Sequence, residues 1–318
     1  MRHAPAALVC AALHIAASIC MTAIALAEGP VTGKEHFVVA NGVRVRIWEK
    51  VTGAPDGKPI AVLAHGSATA GQESFDLQVP GKPSFSFMDF LAGEGFDVFA
   101  PDIRGFGRST KPEAGVSTQD AAADLHAAIT YILAVRGADK VNLVAWSWGT
   151  QYAGLDVIAH PGTVARYVAY AQMHKDSPDI ITRRERLEVF RKSPYMEIPK
   201  AAWTKRFASM TPESANDPAV IAAFGSAAAS VEHKSPTGPH IDMTTLLPMV
   251  DPTRISVPVM LIHGQYDDVA DVPGLAPFFA ALATPEKTYT IIPDAGHMAH
   301  LQAGHRQFQK EIAAFLKR

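Results

Sequence analysis

Residues 140–150 read KVNLVAWSWGT, an apolar β-rich run that leads into a serine flanked by small residues. The apolar run predicts a buried strand, and the residues after Gly149 have the pattern of a helix. Ser147 therefore lies in the turn between a strand and a helix. The pentapeptide from Ala145 to Gly149 has the form small-x-Ser-x-Gly, which in this context indicates a nucleophilic serine.

The crowding of such a turn explains its small residues. A serine whose hydroxyl projects from the backbone sits on a strained turn, and the neighbouring helix and strand must approach each other closely there. Ala145 stands where a glycine is usual, a change of one methyl group. The alternative interpretation is a serine that caps a helix after a strand. We favour the nucleophile because the rest of the chain supplies partners for it.

A serine hydroxyl is scarcely ionised at neutral pH, so a nucleophilic serine needs a base. His297 stands in the loop DAGHM (294–298) after one predicted strand, and Asp267 stands in GQYD (264–267) after the preceding strand. The chain order Ser, Asp, His is one of the known orders of a catalytic triad. We therefore predict Ser147 as nucleophile, His297 as general base and Asp267 as the acid that orients the imidazole.

Other acids and histidines lie near these positions. Asp268 is the neighbouring alternative to Asp267, but adjacent loop residues usually point apart. His300 and His305 fall at the start of the last predicted helix, where we expect exposed or capping side chains. A metal site built from His297, His300 and His305 would lack a matching carboxylate or cysteine cluster, so neither a metal nor a cofactor is predicted. The remaining histidines are interpreted as structural or surface residues; they include His126, His160, His233 and His240.

Two backbone N–H groups are predicted to bind the oxyanion. Trp148 follows the nucleophile at the amino end of a helix, where the helix dipole favours negative charge. Ser67 stands in the loop after the predicted strand that ends in His65-Gly66, and Ala68 is the alternative in that loop. The candidates for an apolar substrate pocket, each of which could equally be core, are Trp146, Trp148, Phe106 and Met173.

Short β-rich runs alternate with helical periods along most of the chain. Asn41-Gly42 separates two of the runs and predicts a type I′ hairpin, and Ser117 with Asp120 predicts a capping box. Alternation of this kind predicts an α/β fold with a mostly parallel sheet and helices on both faces. The eight predicted strands are 36–40, 43–48, 59–65, 96–101, 140–146, 165–172, 257–262 and 287–292.

The alternation breaks between residues 174 and 250. That segment is rich in charged and small residues and has helical pieces near 180–192, 200–209 and 217–231. We interpret it as a helical cap inserted over the carboxyl edge of the sheet, with an ordinary run of surface helices as the alternative. The core domain would then consist of residues 28–173 and 251–318.

The first 27 residues are interpreted as a signal peptide. Arg2 precedes an alanine-rich apolar run, and Ala25-Leu26-Ala27 matches a small-x-small cleavage site. An uncleaved anchor is the alternative. Because Cys10 and Cys20 both lie in this leader, the processed chain would have no thiol. We therefore expect a secreted or periplasmic protein without stable membrane association.

Composition limits the partners. The chain has 318 residues, of which 48% are hydrophobic, so it can bury a large core. A formal charge of −2 gives no basic surface for nucleic acid. The expected partner is a small ester-like molecule, and the oligomeric state cannot be read from the sequence.

Residues 102–109, DIRGFGRS, resemble the D-x-R-G-x-G-x-S stretch of capped α/β-hydrolases such as epoxide hydrolases, haloalkane dehalogenases and esterases. From the His65-Gly66 turn to the His297 loop, almost all of the chain after the leader is similar to this superfamily. In epoxide hydrolases and haloalkane dehalogenases the nucleophile is an aspartate, whereas Ser147 stands at that position here. The resemblance therefore implies acyl transfer to water, namely hydrolysis of an ester, thioester, lactone or amide, or the rarer cleavage of a diketone.

Two other functions are considered. SWGT (147–150) and GQYD (264–267) are also similar to prolyl iminopeptidases, but HGSAT (65–69) departs from the H-G-G-P-G of that group. Such an aminopeptidase needs an acid in the cap for the substrate amine. The candidates by position are Glu185, Glu188 and Glu197. The other function is a non-catalytic homologue that binds a small ligand, although such proteins usually lose a triad residue.

Overall fold

The structure is a computed structural model that describes residues 29–270 and 272–318. The predicted signal peptide and both cysteines lie outside the described residues. The strands in this part of the chain are β1 (Val31–Ala40), β2 (Val43–Thr52), β3 (Ile60–Ala64), β4 (Asp97–Asp102), β5 (Val141–Trp146), β6 (Val164–Tyr170), β7 (Tyr195–Glu197), β8 (Lys234–Pro236), β9 (Val259–Gly264) and β10 (Lys287–Ile292).

Eight strands form one mostly parallel sheet in the order β1-β2-β4-β3-β5-β6-β9-β10. β1 pairs with β2 and β2 with β4 in antiparallel fashion, and the other pairs are parallel. The predicted fold class is therefore confirmed. The central strands β3, β4 and β5 are buried along their whole length, because helices cover both faces of a sheet of this kind.

Helices flank the sheet and account for most of the connections. α3 and α4 pack against each other beside the sheet, and α2 packs against α11. The α-helices of the described residues are α1 (Gly71–Phe75), α2 (Phe87–Gly93), α3 (Thr118–Arg136), α4 (Gly149–Ala159), α5 (Pro178–Arg184), α6 (Leu187–Phe190), α7 (Lys200–Ala208), α8 (Pro218–Val231), α9 (Gly238–Thr245), α10 (Val272–Ala281) and α11 (His305–Leu316).

Local signals predicted two features in atomic detail. Asn41 and Gly42 have φ values of 50° and 78°, the positive pair that a type I′ turn requires between β1 and β2. At the start of α3, the Ser117 hydroxyl accepts from the amide of Asp120, and the Asp120 carboxylate accepts from the amide of Ser117. The capping box is therefore confirmed.

Between β6 and β9 the chain forms α5 to α9 and a short antiparallel ribbon of β7 and β8. The ribbon has no counterpart in the prediction, because its pairing joins residues far apart in the chain, such as Tyr195 and Pro236. The division of the chain into core and cap stays a prediction. No helix among the described residues is both long and apolar enough to span a membrane.

Candidate active site

The turn after β5 holds Ser147 in a backbone conformation that residues other than glycine rarely adopt, with φ at 58°. Such strain persists only where the surroundings enforce it. Here the amide of Ser147 donates to the carbonyl of Tyr170 at 2.9 Å. Gly149 opens α4 where a Cβ would lie 2.5 Å from the Ala64 carbonyl oxygen, so only glycine fits. The crowding inferred from the pentapeptide is therefore present.

Three side chains from separate loops meet at the carboxyl edge of the sheet. His297 Nε2 lies 2.9 Å from Ser147 Oγ. His297 Nδ1 lies 3.0 and 3.1 Å from the two carboxylate oxygens of Asp267. The imidazole therefore bonds to Asp267 rather than to its neighbour Asp268. All three side chains are buried, with 6–8% of each residue exposed, which shields the hydrogen bonds from water.

Asp267 is held in its ionised form. Burial alone would raise the pKa of its carboxyl group, but the charge and hydrogen bond of His297 and the amide of Ala270 keep the pKa below its ordinary value. The Asp267 Oδ1 atom accepts from the amides of Val269 and Ala270 at 3.0 Å each. These bonds also fix the direction of the carboxylate, and so the plane of the imidazole.

The loop that carries His297 is anchored through its own backbone carbonyl. The Trp146 indole N–H donates to this carbonyl at 3.1 Å, and the Tyr170 hydroxyl donates to it at 2.8 Å. The Tyr170 oxygen in turn lies 2.9 Å from His300 Nδ1. The sequence did not single out Tyr170, since a tyrosine at the end of a strand carries no local signal for this contact.

The expectation of exposed or capping side chains at His300 and His305 was wrong. His300 is fully buried, and burial lowers its pKa to about 3, so the ring is neutral beside Tyr170. His305 stacks on Phe85 with ring centroids 4.0 Å apart. Both rings fill the space between α11 and the rest of the core, a long-range contact that sequence spacing does not reveal.

The two predicted oxyanion donors border Ser147. Within the part of the chain that the structure describes, the amides of Ser67 and Trp148 donate to no protein acceptor, and the same holds for Ala68. Ser67 and Ala68 line the small space over Ser147. These unsatisfied donors are available to an anionic oxygen at that point.

His65, which the sequence placed only at the end of a strand, orients this loop. Its Nδ1–H donates to the Gly66 carbonyl at 2.7 Å, and its Nε2 accepts from the amide of Ile103 at 3.0 Å. Burial lowers the pKa of His65 to about 4, which keeps the ring neutral and able to make both bonds. Because a trans peptide points its C=O and N–H in opposite directions, the bond to Gly66 turns the amide of Ser67 away from His65.

The motif at residues 102–109 connects this loop with the segment between β6 and β9. The Asp102 carboxylate accepts from the amides of Gly71 and Arg108, both at 3.1 Å. The amide of Gly107 donates to Glu232, at the end of α8, at 2.6 Å. The contacts made by this motif are therefore structural, and they join the segment after β3 to the end of α8.

Two adjoining spaces open beside Ser147. A narrow one lies directly over the hydroxyl and is lined by Trp146, one of the candidate pocket residues, and by Phe224 of α8. A larger one of about 350 Å³ lies beneath α5, α6 and α7. Arg206, Met210 and His297 line both spaces, so the two are continuous at the imidazole.

The structure does not bring Phe106 and Met173 to these spaces. Phe106 is fully buried with its ring 4.9 Å from that of His65. Met173 is 1% exposed, and its carbonyl accepts from the Gln151 amide group at 2.6 Å. Both side chains serve the packing of the core, which was the alternative considered for each.

Comparison with known proteins agrees with this geometry. The model of a family described as the alpha/beta hydrolase family matches residues 61–309, which is more than half of the chain. The chain belongs to the alpha/beta hydrolase family. Within this family the fold, the strained serine turn and the Ser-Asp-His order form one consistent set.

Individual relatives are distant. Epoxide hydrolase A of Mycobacterium tuberculosis is 34% identical over 138 residues, which cover 42% of this chain and 37% of that protein. The chain thus spans little more than a third of that relative's length. A non-heme chloroperoxidase of Streptomyces lividans is 27% identical over 292 residues, covering 85% of this chain and 96% of that protein.

A solved esterase from Thermogutta terrifontis has a similar fold. The TM-score is 0.66 at 19% identity, with 89% of this chain and 98% of that one covered. At this identity the likeness shows the fold alone. The reaction of this member of the alpha/beta hydrolase family therefore has to be argued from its own residues.

Proposed function

We propose that the protein is a serine hydrolase that cleaves a carboxylic ester, lactone or thioester through an acyl-enzyme on Ser147. The observation that carries this proposal is the continuous hydrogen-bonded chain from Ser147 Oγ through His297 to Asp267, with a 2.9 Å link at the serine. A base within this distance can take the hydroxyl proton as the oxygen attacks a carbonyl carbon.

The reaction would proceed in two halves. His297 accepts the Ser147 proton during attack and gives it to the leaving alcohol, while Asp267 stabilises the imidazolium. Water then attacks the acyl-enzyme with the same imidazole as base. The free amides of Trp148 and of Ser67 or Ala68 would bind the oxyanion of each tetrahedral intermediate, and each such donor is worth on the order of 10²–10³ in turnover.

The experiment is turnover of p-nitrophenyl acetate and butyrate, together with labelling by a fluorophosphonate. We expect Ser147→Ala to lower kcat by roughly 10⁴–10⁶ and to abolish labelling without a change in folding. Ser230→Ala, a change at an exposed serine on α8, serves as the matched control. Near-normal turnover by Ser147→Ala would refute the assignment of the nucleophile.

An aminopeptidase of the prolyl iminopeptidase kind is less well supported. The three candidate acids Glu185, Glu188 and Glu197 are exposed, and the larger space beside Ser147 is lined by arginines, which would repel a substrate amine. Turnover of proline-naphthylamide without turnover of esters would favour the aminopeptidase. A non-catalytic binding protein would show neither activity and no label on Ser147.

The chemistry of the epoxide hydrolase relative is not proposed for this chain. In that group the nucleophile is an aspartate, whereas here it is Ser147. An acyl-enzyme on serine needs no metal or cofactor, since the attacking and proton-transferring groups are all side chains. We also propose that the enzyme acts in the periplasm or outside the cell after removal of its leader.

A further inference from the structure

The larger space beside Ser147 is lined by three arginines. Arg183 and Arg186 come from the α5–α6 region, and Arg206 comes from α7. The carboxylates that line the same space are those of Asp179 and Asp268. A pocket with more guanidinium groups than carboxylates favours an anionic ligand.

Two of the three arginines have partners within the protein. Arg183 forms an ion pair with Asp179 and bonds to His240 Nδ1 at 2.7 Å. Arg186 lies over the ring of Phe190, with the guanidinium carbon 5.3 Å from the ring centroid. Both side chains are therefore held by contacts within α5, α6 and α9.

Arg206 differs from its neighbours. Its guanidinium neither donates a hydrogen bond nor forms an ion pair with any of the described residues, although the side chain is partly buried. Burial, and after it the charge of Arg183, lower the pKa of Arg206 to about 10 against the attraction of Asp179 and Asp268. Removing a cation from water without a partner is costly, which suggests that a bound anion completes the site.

The position of Arg206 is set by rigid packing. Trp203 and Phe207 on the same helix are buried, and both contact Phe224 of α8, with ring centroids 6.5 and 5.4 Å apart. Arg206 lines both the larger space and the narrow space over Ser147. A group bound to its guanidinium therefore lies in the same continuous cavity as the nucleophile.

We propose that Arg206 binds a carboxylate of the substrate, so that the enzyme prefers esters whose acyl or alcohol part carries a negative charge. The planar fork of a guanidinium matches the two oxygens of a carboxylate. This inference rests on the proposed esterase function and adds the substrate class. The apolar residues of the same space, such as Met196, Ile198 and Met210, would surround the chain that links the carboxylate to the ester.

The test compares matched substrates. The anionic set is the mono-4-nitrophenyl esters of succinic, glutaric and adipic acid, and the neutral set is the same compounds with the free carboxyl group methylated. After correction for spontaneous hydrolysis, we expect kcat/KM of the wild type to favour the best anionic ester. Arg206→Gln should lower the anionic-to-neutral ratio by about 10- to 100-fold, the usual worth of a charge-assisted pair, and Arg206→Lys should retain part of it.

Arg184→Gln is the control for overall charge. Arg184 lies on the exposed side of α5 and is paired with Asp176, so it does not line the cavity. This variant should leave the ratio unchanged. A wild-type ratio near one, or an equal ratio in Arg206→Gln, would overturn the carboxylate site and leave the esterase function standing.

Loss of the proposed function itself would give a different result, with no ester turned over and no label on Ser147. In that case the carboxylate site is tested alone, by calorimetric titration of the Ser147→Ala protein with glutarate. Glutarate binding that is lost in the double variant Ser147→Ala/Arg206→Gln supports the site, and absence of glutarate binding to Ser147→Ala refutes it.

A second, independent site lies on α3 and α4, at the end of α4 remote from Ser147. His126 Nδ1 and His160 Nδ1 lie 3.0 and 2.8 Å from Asp156 Oδ1. One ligand atom from each residue lies within 4.8 Å of the others. The two imidazoles are stacked, with ring centroids 3.6 Å apart.

Two buried atoms at this cluster lack a hydrogen-bond partner among the described residues. They are His126 Nδ1, whose contact with Asp156 is poorly aligned for a hydrogen bond, and Asp156 Oδ2. Asp156 is only 2% exposed, and its carboxylate faces the two histidines. Unsatisfied buried atoms of this kind call for a further partner.

We infer that His126, Asp156 and His160 bind a divalent cation of the zinc type. Two imidazole nitrogens and one carboxylate oxygen are ligands that Zn²⁺ accepts, and the adjoining surface depression leaves room for water as the fourth. The Nδ1 atoms of both half-exposed rings already face the same oxygen, Asp156 Oδ1. This proposal revises the interpretation of His126 and His160 from the sequence, which was that they are structural or surface residues.

The test uses protein without a histidine tag and zinc chloride as the probe. Calorimetry should give one bound Zn²⁺ per chain, and the thermal unfolding midpoint should rise by a few degrees because the ion bridges two helices. The double variant His126→Ala/His160→Ala should lose both effects, while His233→Ala, a change at an exposed histidine, should keep them. Zinc binding that is absent from the wild type, or that survives in the double variant, overturns this inference.

Discussion

At the scale of single residues, the site depends on positions that allow one residue type or one hydrogen bond. Ser147 is strained, and Gly149 fits because a side chain there would collide with the carbonyl of Ala64. His65 contributes through its two hydrogen bonds, since these turn the amide of Ser67. We expect Gly149 and His65 to affect stability and activity without contacting a substrate.

Gly149→Ala should destabilise the protein. The added methyl group would lie 2.5 Å from the Ala64 carbonyl oxygen and 2.8 Å from that of His65, so strand and helix must separate. We expect a loss of about 1–3 kcal/mol in the free energy of unfolding, measured with urea. Gly93→Ala is the matched control, because a Cβ at Gly93 meets no atom within 4 Å. Equal stabilities of the two variants would contradict the close approach.

His65→Ala should lower kcat by roughly 10- to 100-fold with a smaller effect on KM. The variant loses the bond that orients the Gly66 carbonyl, so the oxyanion donors are less well aligned. This misalignment weakens binding of the transition state more than binding of the substrate. Steady-state kinetics with p-nitrophenyl butyrate measures the change, and the rate of fluorophosphonate labelling reports on it separately. An unchanged kcat would show that the loop keeps its shape without His65.

At the scale of elements, helices, strands and turns could be predicted from patterns of neighbouring residues. The contacts between these elements could not. The Asn41-Gly42 hairpin and the Ser117 capping box are made by neighbouring residues, so both could be predicted. The β7–β8 ribbon pairs Tyr195 with Pro236, and no pattern within either segment contains that pairing. The bond from Gly107 to Glu232 is of the same long-range kind.

Glu232→Gln should make stability less dependent on pH. Burial raises the pKa of Glu232 to about 7, only partly opposed by Lys111 and the amide of Gly107. The folded wild type therefore holds a proton that the unfolded chain releases near its ordinary pKa of about 4.3, and its stability falls as pH rises from about 4 through 7. Urea unfolding at pH 5 and pH 8 should show the variant gaining about 1–3 kcal/mol relative to wild type at the higher pH.

Glutamine keeps a carbonyl oxygen for the Gly107 amide, so the variant should fold. Glu197→Gln is the control, since Glu197 is exposed and pairs only with Lys234 among the described residues. Parallel pH curves for Glu232→Gln and wild type would rule out the buried carboxyl group as the source of the dependence.

At the scale of the whole molecule, the sheet brings residues 120 and 30 positions apart into one site. Ser147 follows β5, Asp267 follows β9, and His297 follows β10. These strands are parallel, so their carboxyl ends lie at one edge. The segment between β6 and β9 contributes Arg206 and the rest of the larger space.

The export of the protein is a prediction at this scale. Expressed in a bacterial host with its full leader, the chain should accumulate outside the cytoplasm with Glu28 as its first residue, because Ala25-Leu26-Ala27 matches a cleavage site. Amino-terminal sequencing of the periplasmic fraction measures this. A protein that keeps residues 1–27 and sediments with membranes would favour the anchor.

The sequence by itself determined the fold class and the three residues that meet at the serine. Both depend on local patterns repeated along the chain: strand and helix periods, the small residues around Ser147, and polar loops just after strands. A parallel sheet then brings those loops together whatever the details of packing.

Only the tertiary structure decided what surrounds the serine. It placed Phe106 and Met173 in the core, buried His300, and left Arg206 facing the cavity without a partner among the described residues. The physical reason is that the environment of a side chain is set by contacts with residues distant in sequence. A pattern of neighbours records which face of an element is apolar, but not what will lie opposite that face.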